Sequence, residues 1–309
     1  MAAVVAVIVI GWLVYVAALR EPDTPDRGNG ETVSASITID GRQRRYLVYL
    51  PAGHVEDEEG LPLVVNLHGL SSSGRNQIDR TGFNAVADER RFIVVYPEAR
   101  SAGPLGLTQW DVRLEDGDGD VRFIEAVIDE TAATYGIDTD RVYATGLSYG
   151  SIMTYTLACV LSDRFAAVGG VAGGLPRELL DECASARPVP LLHIHGDGDN
   201  LVPFGGIGEL TLGAEDSVEV FRRANGCEPD LTASSVPDRD PDDGTTITRF
   251  TATGCAAGGA VELHVVNGGG HNWPGGTRTM RYFFGAMSRD YQASEVLWDF
   301  FADHRLPDS

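Results

Sequence analysis

The chain has 309 residues, 43% of them hydrophobic and 22% charged, which excludes a mainly disordered or fibrous protein and leaves enough length for a sizeable core. Its 45 acidic and 24 basic residues give a formal net charge of −21, so a nucleic-acid partner is excluded on electrostatic grounds, and anionic lipid headgroups would also repel this surface. Every basic residue is Arg and none is Lys, a bias that fits either a GC-rich genome or adaptation to salt.

At the N-terminus, Ala2 to Leu19 runs without a charge. A helix of that length spans about 27 Å, close to a bilayer's hydrocarbon core. Residues 1–19 are therefore expected to be either a signal peptide or a single membrane anchor. Val16-Ala17-Ala18 offers small residues for cleavage, and no Cys follows to carry a lipid. Arg20 and Arg27 flank the segment on its C-terminal side, which taken alone would keep the rest in the cytoplasm. The cysteines argue for export. There are four, Cys159, Cys183, Cys227 and Cys255, with no metal-ligand spacing, and an even count fits two disulfides in an oxidising compartment. Residues 20–32, rich in Pro, Gly and acids, read as a solvated linker, and residues 33–309 as one folded domain.

Within that domain, strands are expected at Val33–Ile39, Tyr46–Leu50, Leu63–Leu67, Phe92–Tyr96, Val142–Thr145, Ala166–Val171, Leu191–His195 and Val261–Val266. Several are unbroken Val/Ile/Leu runs, as in strands covered on both faces. The first two are joined at Gly41 and should be antiparallel. Val121, Ile124, Val127, Ile128, Ala132 and Tyr135 recur at helical spacing. Further helices are expected after Ser148, over Ser217–Ala224 and over Ala293–His304. Strand and helix alternate, so the fold class is α/β with a mostly parallel central sheet and helices on both faces. Active sites of such sheets lie at the strands' carboxyl ends. Pro237–Gly244, PDRDPDDG, reads as a hairpin excursion.

Gly146-Leu147-Ser148-Tyr149-Gly150 fits G-x-S-x-G, between a strand and a helix. That placement is a nucleophile elbow, and it nominates Ser148. A serine hydroxyl needs a base held by a third group. His271, in the loop Gly268–Gly276 after the last strand, is the candidate base. His193 and His195, two apart in one strand, and His264, beside Glu262, read as structural. The acid belongs after the penultimate strand, where Asp197 and Asp199 compete and composition does not separate them. Oxyanion donors are expected at the N–H groups of Tyr149 and of Leu70, in the turn after Leu63–Leu67. No metal or organic cofactor is required, and no obligate protein partner is expected. Glu115–Asp120 lacks the Gly and Glu of a calcium loop, so it reads as an acidic loop with Asp120 capping a helix. Trp110, Phe204 and Trp273 lie next to these loops and are candidates to line a substrate pocket. Met280–Tyr291 is a candidate rim.

The segments LPLVVNLHG, RVYATGLSYGSIMTYTLAC, DRFAAVGGVAG, HIHGDGDNLVPFGG, NGC, GGGHNWPGG and ASEVLWDFFADH together resemble the secreted polyhydroxybutyrate depolymerase and feruloyl esterase group of α/β-hydrolases. The resemblance runs from about Arg44 to His304. In that group the acid stands three residues before the V-P pair, which selects Asp199. The resemblance also implies that Cys227 pairs with Cys255, which leaves Cys159 to Cys183. Two positions depart from the group: Tyr149 replaces the usual Asn, and Ser151 a small apolar residue. The implied activity is hydrolysis of a small or oligomeric ester of hydroxyalkanoate, feruloyl or acetyl type. Readings from other classes are a membrane-tethered binding protein with a vestigial site, and a peptidase or acyltransferase on the same fold. Labelling by a fluorophosphonate separates the first of these from an enzyme.

Overall fold

In a computed structural model, residues 28–55, 60–102, 107–112, 119–256, 258–277 and 281–307 are described. Ala2–Leu19 lies outside them. Among the described residues no helix is long and apolar enough to cross a membrane.

Among the described residues twelve strands form: β1 (Glu31–Ile39), β2 (Arg42–Leu50), β3 (Leu63–Leu67), β4 (Ile93–Pro97), β5 (Arg100–Ala102), β6 (Leu107–Gln109), β7 (Val142–Leu147), β8 (Ala167–Val171), β9 (Leu191–Gly196), β10 (Leu231–Ser235), β11 (Thr246–Ala252) and β12 (Val261–Asn267). Ten make one sheet in the order β1-β2-β4-β3-β7-β8-β9-β12-β11-β10, while β5 and β6 form a separate ladder. From β4 to β12 in that order, every neighbouring pair is parallel; the outer pairs on both sides are antiparallel. With helices on both faces, this is the α/β-hydrolase fold. β1 begins at Glu31, and Gly30 N–H donates to the Tyr49 hydroxyl at 2.8 Å, so the fold takes in the end of the expected linker. Asp40 and Gly41 both have positive φ, which sets the tight turn between β1 and β2.

One face of the sheet packs on the helices Gly119–Tyr135, Tyr149–Val160 and Ala214–Ala224, through residues such as Phe123, Ile124, Met153, Leu157 and Phe221. The other packs on Gly74–Thr81, Phe83–Arg90 and Ala293–Ala302, through Ile78, Phe83, Trp298 and Phe301. β3, β4, β7, β8 and β9 are buried along their whole length, which is why they read as unbroken apolar runs. Both disulfides form, Cys159–Cys183 and Cys227–Cys255. Asp120 is not a cap. It lies inside the first helical turn, buried, with Arg44 Nη2 2.7 Å from its Oδ1 and Asp111 N–H donating to its Oδ2. Pro237–Gly244 is a hairpin excursion between β10 and β11, but it is tied down: Arg289 N–H donates to Asp243 Oδ2, and Arg239 N–H to Asp290 Oδ1.

Candidate active site

The chain leaves β7 and enters the helix Tyr149–Val160 through Ser148, at φ 58° and ψ −120°. A non-glycine residue at positive φ stores strain that its surroundings must hold. Ser148 N–H donates to Val171 O at 2.9 Å, and Ile152 N–H donates to Ser148 O at 3.0 Å. The flanking glycines are forced by proximity. A Cβ on Gly146 would lie 2.5 Å from the Gly150 carbonyl carbon, and one on Gly150 only 2.1 Å from Leu67 O. The elbow thus fits only because β7, β3 and the helix start can touch.

Asp199 and His271 meet at the same carboxyl edge, after β9 and β12. His271 Nδ1 donates to Asp199 Oδ2 at 2.7 Å. Asp199 Oδ1 accepts from Leu201 N–H at 2.8 Å and Val202 N–H at 2.9 Å, which fixes the carboxylate in its turn. Burial opposes the charge of Asp199, but hydrogen bonds from His195 and His271 outweigh it and hold the carboxyl well below the usual carboxylate range. Asp197 plays a different part. It is exposed, and its Oδ1 accepts from Gly268 N–H at 2.6 Å, bracing the loop that carries His271. His271 N–H donates to Phe284 O at 2.6 Å, and its ring stacks on Phe284 at 6.2 Å. Asn272 Nδ2 donates to the carbonyls of Phe284, Gly285 and Ala286. The segment expected as a rim is therefore also the brace of the histidine loop.

Leu70 lies in the turn after β3, whose Gly69 stands close to Ser148. A Cβ on the preceding Gly69 would stand 3.4 Å from Ser148 Cβ and 3.9 Å from its Oγ. His68, fully buried, orients this turn. Its Nδ1 donates to Gly69 O at 2.8 Å, and its Nε2 accepts from Ala99 N–H at 3.1 Å. In a trans peptide the N–H points opposite to the C=O, so this grip on Gly69 O sets the direction of Leu70 N–H. Burial lowers His68 to about 4, against an upward pull from the Gly69 bond. Trp110 Nε1 donates to His68 O at 2.8 Å, and Ser71 N–H donates to Thr108 O at 2.7 Å, so the β5–β6 ladder buttresses the turn.

Two expected pocket residues belong to the core instead. Trp110 is 0% and Trp273 1% exposed, so neither lines an open wall. Trp273 stands edge-on to Phe83 and donates Nε1–H to Ser294 Oγ. Phe204 is half-buried, edge-on to His195 at 5.6 Å. Tyr149 is half-buried beside Ser148. His264 is structural, between Tyr291 Oη and Glu262 Oε2, each at 3.1 Å. Residues 113–118 of the acidic loop lie outside the described residues. Sequence reasoning alone misses the role of His68; its sole signal is its place at the end of a buried strand, one residue before the expected oxyanion turn.

The sequence model of the family described as Esterase PHB depolymerase matches residues 44–188. The putative esterase NocK of Nocardia uniformis subsp. tsuyamanensis is 33% identical over 284 residues, covering 87% of this chain and 82% of that protein. Feruloyl esterase D of Neurospora crassa is 29% identical, with 80% of each covered. The bifunctional acetylxylan esterase/xylanase XynS20E of Neocallimastix patriciarum is 27% identical, and the match spans 75% of this chain but 31% of that protein. Among solved structures, the acetyl xylan esterase from Aspergillus awamori superposes with a TM-score of 0.58 at 17% identity, covering 78% of this chain and 94% of that one, which supports the fold.

Proposed function

The chain belongs to the PHB depolymerase family of esterases, and on that footing we propose that Ser148, His271 and Asp199 are its catalytic triad and that it works outside the cytoplasm. The observation that carries the reading is the buried 2.7 Å bond from His271 Nδ1 to Asp199 Oδ2, at the sheet edge where the strained Ser148 turn is held. With Nδ1 committed to the carboxylate, Nε2 is the nitrogen that exchanges protons. Ser148 Oγ attacks the ester carbonyl carbon while His271 Nε2 takes its proton. The N–H groups of Tyr149 and Leu70 hold the oxyanion. The imidazolium then protonates the departing alcohol. Water, deprotonated by the same nitrogen, hydrolyses the acyl-enzyme and frees Ser148.

The substrate is a small or oligomeric carboxylic ester. Two exposed apolar side chains adjoin site residues along the chain: Leu201, 51% exposed and two residues from Asp199, and Phe283, 39% exposed and next to the Phe284 that stacks on His271. They suit an alkyl or aryl acyl chain such as a hydroxyalkanoyl or feruloyl group. The two disulfides support an oxidising, extracytoplasmic location.

The test uses methyl ferulate, a 3-hydroxybutyrate trimer and p-nitrophenyl acetate, with fluorophosphonate labelling alongside. Wild type turns over at least one ester and is labelled. Ser148→Ala loses at least about 10³-fold in kcat and all labelling, with an almost unchanged melting temperature. Retained turnover by that variant refutes the triad.

A further inference from the structure

Behind Asp199 the structure holds a second row of polar side chains that the reaction does not use. β9 is buried along its whole length. His193 and His195 stand two residues apart in it and so share a face. His193 is 0% exposed, His195 2%, and Tyr155, on the helix that begins at the Ser148 elbow, 0%. Tyr155 Oη is 2.8 Å from His193 Nδ1. His193 Nε2 is 3.1 Å from His195 Nδ1. His195 Nε2 is 2.9 Å from Val202 O and 3.4 Å from Asp199 Oδ2. The row thus ends at Val202 O, beside the carboxylate oxygen that receives His271 Nδ1–H.

The partners fix the direction of every bond. Val202 O and Asp199 Oδ2 only accept, so His195 Nε2 carries a hydrogen. The phenol of Tyr155 has no other partner among the described residues, so its hydroxyl donates to His193 Nδ1. His193, neutral because burial and then His195 disfavour its charge, holds its one hydrogen on Nε2 and donates to His195 Nδ1. The phenol keeps its proton, since burial pushes its ionisation well up. All three links run one way, from Tyr155 to a His195 Nε2–H that Val202 O takes at 2.9 Å, with Asp199 Oδ2 beside it at 3.4 Å. Space for them is made by a glycine: a Cβ on Gly170 of β8 would lie 3.1 Å from Tyr155 Cε2 and 3.3 Å from His193 Nδ1.

Resting on the triad reading, we propose that Tyr155 and His193 are positioning residues for the esterase: they form a one-way hydrogen-bond chain that ends at Val202 O and sets a polarised His195 Nε2–H 3.4 Å from the Asp199 oxygen that faces His271, drawing charge from it. Aligned donors polarise one another, so the head of the chain is felt at its end. A bland alternative is a satisfied polar core, which would affect stability alone. The chain's end point separates the two, because Asp199 Oδ2 is shared with His271. Other charged groups at this end are Asp197, hydrogen-bonded to Gly268 N–H, and Arg80, whose guanidinium lies 5.7 Å from the Phe284 ring centre. Neither touches the row.

The experiment measures kcat/KM for p-nitrophenyl acetate from about pH 5 to about pH 9, with melting temperatures, for wild type and three variants. In His193→Phe, His195 loses its donor, the charge on Asp199 Oδ2 is less shared, and the imidazolium form of His271 is favoured. Its acid limb moves up by about half a pH unit, and kcat/KM on that limb falls about two- to threefold, recovering at alkaline pH. Tyr155→Phe, which preserves shape, shifts the limb in the same direction by less. His193→Gln, whose amide donates at one end and accepts at the other, restores the wild-type profile. An unshifted limb in both Phe variants, or a shift that His193→Gln does not reverse, overturns the proposal. Ser148→Ala in the same plate keeps the two readings apart. If it stays active the triad fails; if it is dead while the limbs do not move, only the chain fails.

Discussion

Replacing His68 by Gln should flatten the acid side of the protein's stability curve. In the fold His68 is 0% exposed, donating from Nδ1 and accepting at Nε2, and burial lowers it from 6.5 to about 4. Above about pH 6.5 neither the folded nor the unfolded chain protonates it, and its full contribution is present. Between about 6.5 and about 4 the unfolded chain binds the proton and the fold does not. Stability therefore falls as the pH drops, by about 1.4 kcal/mol per unit and about 3 kcal/mol in all. His193, lowered by burial and then by His195, acts in the same sense. Asp199 and Glu262, held charged against burial by hydrogen bonds from histidines, contribute only at lower pH, where unfolded carboxylates titrate. Glu98, 3.8 Å from His68 Nε2 and raised by burial, acts in the opposite sense. It is common to both proteins, so the comparison isolates His68. Urea unfolding at about pH 7.5 and about pH 5 measures the difference. Wild type should lose about 2 kcal/mol more than His68→Gln between these points. Equal losses would show that His68 is not held neutral, and the account of how Leu70 N–H is aimed would go with it.

The two aspartates of one turn should behave differently. Asp199→Asn removes the acceptor of His271 Nδ1–H and should cost about 10⁴-fold in kcat, whereas Asp197→Asn, whose amide oxygen still accepts from Gly268 N–H, should cost less than about tenfold; p-nitrophenyl acetate kinetics at neutral pH decide. Ser151→Ala should leave activity unchanged and raise stability by up to about 1 kcal/mol in urea unfolding, because its buried Oγ has no hydrogen-bond partner among the described residues. A loss of stability there would mean that the hydroxyl is satisfied.

The parts of the fold legible in the sequence are those where burial and backbone geometry leave few choices. β3, β4, β7, β8 and β9 are covered on both faces and read as apolar runs. G-x-S-x-G is legible because any side chain at Gly146 or Gly150 would collide with backbone. The helix Gly74–Thr81 escapes a sequence reading because it buries Gln77, Asp79 and Thr81, whose partners are other polar groups, so no apolar stripe marks it. β10 and β11 escape it for the opposite reason: at the sheet's edge LTASS is exposed along most of its length, and alternation is weak. Trp110 and Trp273 read as pocket residues because they adjoin catalytic motifs in sequence. Their indole N–H groups instead hold His68 O and Ser294 Oγ.

The choice between Asp197 and Asp199 shows what a sequence withholds at a site. Both residues follow β9 within one turn, and both carboxylates accept a hydrogen bond from the His271 loop. They differ in what each receives: Asp197 takes the backbone of Gly268, and Asp199 takes the imidazole. That difference depends on where the turn points, and the turn is set by Leu201 and Val202 N–H closing on Asp199 Oδ1. With Oδ1 committed to the backbone, only Oδ2 is left for imidazoles, and both His195 and His271 converge on it. A carboxylate anchored at one oxygen and shared at the other cannot turn away from His271 without orphaning the N–H groups of Leu201 and Val202, the second of them buried. The acid's orientation is thus enforced by its own turn, and the Tyr155–His193–His195 row acts on the one oxygen that remains free to respond.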